Sequence, residues 1–115
     1  MTIIQYLLAL IFIASGSAKL FGLDFELQAF ERWGYPLWFM YLTGLLEVVG
    51  GLAIAANILR KFAALGVTVL MIGAIGTHVL HQEWPMLAVA SSIFIMGVVY
   101  TRHLWKAEGK SPTES

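Results

Sequence analysis

The chain has 115 residues, 59% hydrophobic and 12% charged, with zero formal net charge and no cysteine. A soluble domain carries about twice that share of charged residues, so the charged surface is too small to hold this protein in water. The missing cysteines exclude disulfides, thiolate metal sites and dithiol redox relays, and the neutral balance offers nothing to nucleic acid.

The apolar residues fall in four blocks. Residues 1–18 carry no charge, 33–58 carry only Glu47, and 62–82 and 84–101 carry no Lys, Arg, Asp or Glu. A helix needs about 20 mostly apolar residues to cross ~30 Å of hydrocarbon. The pattern predicts an all-α, integral membrane four-helix bundle, up-down-up-down, forming one domain over residues 1–105. The predicted spans are 3–21, 36–59, 60–81 and 84–103. The first block is read as a span, because Met1-Thr2 lacks the basic start of a signal peptide. Pro36 stands where a first-turn proline is tolerated. The connections at 59–61 and 82–84 are short enough to make successive helices antiparallel neighbours.

Residues 24–33 read as an amphipathic segment on the outer interface, with Asp24 as its N-cap, Gly34 as its end, and Phe25, Leu27, Phe30 and Trp33 coating one side. An irregular loop with aromatic anchors is the plainer alternative. The stretch 106–115 reads as a polar, disordered cytoplasmic tail. Arg60, Lys61, Arg102, Lys106 and Lys110 share one side against Lys19 and Arg32 on the other, which puts both termini in the cytoplasm. Trp33, Trp38, Trp84 and Trp105 fall near span ends, as an interfacial belt requires, and Tyr100 reads as an inner-interface anchor.

Inside a span, a charged or titratable side chain is costly and therefore informative. Glu47 lies near the middle of span two, with Thr43, Gly44, Gly50 and Gly51 on its side of the helix. Such a face admits a neighbouring helix closely, so Glu47 faces the bundle interior and needs a cation or a proton. Lys19 closes span one. It either snorkels to the outer headgroups or turns inward to pair with Glu47, which lies ~15 Å below the surface at 1.5 Å per residue. His78, near the outer end of span three, is either an interfacial hydrogen-bonder or a partner of Lys19 or Glu47. His78, His81 and Glu83 make only a weak metal pattern, and His103 lies at the far end of the bundle from His78, so no metal site and no haem ligation is expected. The glycines of spans three and four, and Ser91 and Ser92, read as helix packing, and Met71, Met86 and Met96 as core or lipid-facing residues.

Four motifs stand in order along the spans. Phe12 to Leu20 reads F-x-x-x-G-x-x-K-L, and Gly34-Tyr35-Pro36 opens span two. Gly44 to Leu52 reads G-x-x-E-x-x-G-G-L, and Gly73 to His78 reads G-A-x-x-T-H. Together they resemble the signatures of DoxX-like proteins, small four-helix bacterial membrane proteins, over residues 4–100. The resemblance implies a plasma-membrane location and a convergence of Lys19, Glu47 and His78 into one buried polar site opening outward. Family members resemble a subunit of a thiosulfate:quinone oxidoreductase, membrane partners of redox-defence complexes, and chaperones of membrane receptors. The absence of cysteine here argues against direct sulfur chemistry.

Three functions follow as expectations. The first is a quinone-linked redox component or membrane partner of an oxidoreductase. In it Lys19, Glu47 and His78 bind the ligand, Glu47 or His78 moves protons, and no cofactor motif is encoded beyond a place for quinone. The second is a non-catalytic assembly factor, chaperone or accessory subunit, in which the Lys19–Glu47 pair fixes helix register. The third is a small transporter or proton pathway, which four spans serve best as a homo-oligomer. The partners expected are membrane lipids, quinone and another membrane or redox protein.

Overall fold

The computed structural model describes residues 2–109, and all regular structure within them is helical. The helices are α1 (Thr2–Leu20), α2 (Asp24–Trp33), α3 (Leu37–Ala55), α4 (Arg60–Leu80) and α5 (Trp84–Gly109). All but α2 are long and apolar enough to cross a membrane. Only 33% of the apolar stretch in α1, α3 and α4, and 22% in α5, is buried within the bundle. The remaining surface presents residues such as Leu10, Val49, Ile72 and Ile95 outward. Apolar surface that extensive belongs against lipid or protein, not water.

Glycine sets how closely the helices approach. A Cβ on Gly16 of α1 would stand 2.5 Å from the carbonyl oxygen of Gly44 in α3, and one on Gly44 would stand 2.7 Å from the Cβ of Lys19. Further along, Gly51 faces Ala9 and Ile13. Gln5, near the start of α1, donates to the Ile54 carbonyl at 2.9 Å and to Asn57 Oδ1 at 2.7 Å, close to the end of α3. The two helices therefore meet backbone to backbone and run in opposite directions. Gly50 admits Val67 of α4, and Gly97 of α5 admits Thr68.

The packed core of Leu8, Phe12, Ile54, Val67, Tyr100 and Leu104 fills the end of the bundle where α1 begins and α5 finishes. Tyr100 is among its most deeply buried side chains, not an interface anchor. At the same end Lys61 stacks over the Trp105 ring, 3.6 Å from its centroid.

Several boundaries differ from the hydropathy reading. α3 stops at Ala55, four residues before 59, because Asn57 and Leu59 turn left-handed (φ 59° and 47°) and Gln5 holds Asn57 in place. Apolarity alone does not register such a turn. α5 runs on to Gly109, into the stretch read as tail, while residues 110–115 of that tail, with Lys110, lie outside the described residues. Asp24 is the first helical residue of α2 rather than its cap, and Leu23 takes the cap position without a side-chain bond. Gly34 does end α2, at φ 79°, a conformation that strains any residue with a Cβ.

Gly16→Ala is expected to destabilise the protein by about 1–3 kcal/mol, as overpacking does, because the new methyl meets backbone. A methyl on Gly76 meets nothing within 4 Å, so Gly76→Ala is expected to be neutral or to stabilise by about 0.5–1 kcal/mol. Unfolding in a detergent titration distinguishes the two.

Candidate functional site

The other end of the bundle is hollow. A cavity of about 680 Å³ opens between the helices, lined from all five of them. That volume lies within the range of small-molecule sites, roughly 300–1,000 Å³. Phe12, Phe30, Trp33, Tyr35, Phe39 and Met71 supply apolar and aromatic wall, and Ser15, Lys19, Glu26, Glu47, Thr77 and His78 supply polar groups.

Lys19 organises one polar cluster. Its Nζ donates to Ser15 Oγ at 3.0 Å and to Glu47 Oε2 at 3.3 Å, and it stands 3.2 Å from Glu26 Oε2. The Glu26 contact is an ion pair without hydrogen-bond alignment. Glu47 is 3% exposed and Lys19 9%, so neither charge is shared with bulk water. Lysine therefore turns inward instead of snorkelling. It can reach Glu47 because Gly16 and Gly44 let α1 and α3 touch. Glu26 is the member that apolar patterning passes over, since it is not one of the apolar residues that mark a face of the segment 24–33. Its spacing to Phe30 and Trp33, four and seven residues on, places all three on one helical face. That face is the one α2 turns to the cavity, while Phe25, at 61% exposure, points away.

Glu83 organises the second cluster. Its Oε1 accepts from His78 Nδ1 at 2.8 Å and from Trp33 Nε1 at 3.1 Å, and its Oε2 accepts from Arg32 at 2.9 Å. His78 therefore does not join Lys19 and Glu47 directly. The turn after α4 folds back, with the Glu83 amide on the His78 carbonyl at 2.9 Å, and supplies His78 with a nearer carboxylate. All three residues nevertheless line the same cavity. The hydrogen bond from His78, against an opposing desolvation, and then those from Arg32 and Trp33, hold the Glu83 carboxyl below the usual carboxylate range. Tyr35 and Thr77 hydroxyls meet at 2.8 Å, and His81 Nδ1 donates to the Thr77 carbonyl at 2.9 Å. Among the described residues, no three His, Asp or Glu side chains are arranged to hold a metal ion.

The two clusters fasten α2 at both ends, to α1 through Glu26 and to the α4–α5 turn through Arg32 and Trp33. Trp33 thus serves the site, whereas Trp38, Trp84 and Trp105 stay exposed near helix ends.

These features define an all-helical, membrane-type protein with an internal cavity whose charged residues are buried. The sequence profile of the DoxX-like family matches residues 3–101, and the chain belongs to that family. It is 40% identical over 93 residues to the uncharacterized protein YdgD of Bacillus subtilis (strain 168), across 77% of this chain and 82% of that relative. No solved structure matches the chain.

Removing Lys19 strands two carboxylates, whereas removing Glu47 leaves Lys19 with Glu26. Breaking a buried pair by deleting one partner costs about 3–5 kcal/mol. Lys19→Ala is thus expected to destabilise more than Glu47→Ala, and the Lys19→Ala/Glu47→Ala double change to recover part of the Lys19→Ala loss. Additive losses in a detergent unfolding series would contradict the pairing. The Glu83 carboxyl has its folded-state pKa lowered from 4.5. Its contribution is therefore complete above that pH and is lost as pH falls through the folded value. The melting-temperature gap between the native protein and Glu83→Gln is expected to be widest above pH 4.5 and to close in more acidic buffer.

Proposed function

We propose that this protein binds a quinone-class lipid in the cavity and serves as a quinone-linked membrane partner of an oxidoreductase. The observation that carries the reading is the cavity itself. Its aromatic wall suits a planar ring and its opening between apolar helices suits a lipid tail. Its carboxylates and imidazole are groups able to exchange protons with a ring oxygen. Electrons would be exchanged with a partner protein, because the chain has no cysteine and its aromatic and charged side chains are not a redox centre. In this reading the four long helices cross the bacterial plasma membrane up-down-up-down, with both termini cytoplasmic. The gathering of Arg60, Lys61, Arg102 and Lys106 around the solid end supports that orientation, and the hollow end then faces outward. An accessory subunit without a ligand would leave the cavity and its buried charges without a role, so that reading ranks second.

The test is a titration of the protein in lipid nanodiscs with a short-tailed benzoquinone. Saturable one-to-one binding is expected in the native protein. It should disappear in Ala74→Trp, which fills the cavity from α4 without replacing a charged residue. Binding that is unsaturable, or unchanged in Ala74→Trp, would sink the proposal.

A further inference from the structure

The hydrogen-bonding inventory of the cavity is lopsided. Lys19 donates to Ser15 at 3.0 Å and to Glu47 at 3.3 Å and pairs by charge with Glu26 at 3.2 Å, which leaves Glu26 Oε2 without a hydrogen bond. Trp33 has a single N–H, and it is given to Glu83. The Thr77 hydroxyl donates to the Gly73 carbonyl at 3.0 Å, so the hydroxyl contact between Tyr35 and Thr77 uses the Tyr35 proton. The carboxylate of Glu83 accepts the Nδ1 proton of His78. The donors of Trp33, Thr77 and Tyr35 are therefore spent within the protein, and the ammonium of Lys19 is held among Ser15, Glu47 and Glu26. Of the others lining the cavity, Trp38 is 65% exposed, and the Ser15 and Thr43 hydroxyls can each rotate to give or to accept.

Acceptors are in surplus. Each ionised carboxylate offers about four lone-pair sites, and Glu26 and Glu47 receive far fewer donors than that. The Tyr35 oxygen adds to the excess. A head group carrying only carbonyl oxygens would meet acceptors facing acceptors, whereas one carrying hydroxyl protons would satisfy them.

We infer that the cavity selects a ligand whose head group donates hydrogen bonds, so that of a quinone couple it holds the two-electron-reduced quinol in preference to the quinone. This rests on the quinone-class reading above. It also orders events at the site. The reduced form is the one retained, so the protein withdraws quinol from the membrane pool or holds it for a partner that oxidises it.

The experiment compares three ligands that share one ring and one decyl tail: the benzoquinone, its quinol, and the dimethyl ether of the quinol, which keeps the shape and lacks the donors. Binding to the native protein in nanodiscs is measured under argon by calorimetric titration. The quinol is expected to bind on the order of tenfold more tightly than either of the others, as hydrogen bonds to charged acceptors allow. Glu47→Gln and Glu26→Gln each put an amide donor where an acceptor stood, and each is expected to narrow that ratio severalfold. Equal affinities, or tighter binding of the quinone or the ether, would overturn the preference and leave the quinone-class site standing. Failure of all three to bind would remove both. The comparison in the native protein decides the matter whether or not the variants fold.

Discussion

The ammonium of Lys19 stands 3.3 Å from Glu47 and 3.2 Å from Glu26, at the hollow end of a bundle whose long helices turn many large apolar side chains outward. Withdrawing such charges from water costs several kcal/mol per ion unless their partners are close and well placed. That requirement reaches into the rest of the fold. α1 and α3 must touch backbone to backbone, so Gly16 and Gly44 lack side chains where they meet. α2 must lie against the bundle so that Glu26 can join, and Arg32 and Trp33 hold its other end on Glu83. The helix between the first two spans is thereby a cover over the cavity, fastened by polar contacts at both ends.

The bundle divides its labour along its length. At one end Leu8, Phe12, Ile54 and Tyr100 pack solidly, and the basic residues cluster beside Trp105. At the other, aromatic side chains from α2 and α3 wall a cavity of about 680 Å³. Charged side chains cannot be packed over by apolar neighbours without losing their partners, so a charged end and an open end coincide.

Much of this was legible in the sequence. The four spans stand out because long uncharged blocks have no other use in a chain of this length. The inward direction of Glu47 follows from the glycines on its side of the helix, whereas the sequence leaves Lys19 either snorkelling or pairing with it, and the contact of α1 with α3 at Gly16 and Gly44 decides for the pair. Three features were hidden for physical reasons. Glu26 has no apolar signal to mark it as part of the site, although its spacing to Phe30 and Trp33 puts it on their face of α2. His78 was expected beside Glu47, but a turn with Gln82 at φ 55° brings Glu83 back to it, and such a turn leaves no hydropathy signal. The end of α3 depends on a side chain 52 positions away, Gln5 on Asn57, which no local pattern contains.

The measurement that bears most directly on the account is native mass spectrometry of the protein released gently from its own membranes, with organic extraction of the same sample. The account predicts one quinone-class molecule per chain, retained by the native protein and lost when Ala74→Trp fills the cavity. A chain that carries no such molecule, or carries it equally in Ala74→Trp, would contradict the assignment of the cavity as a ligand site.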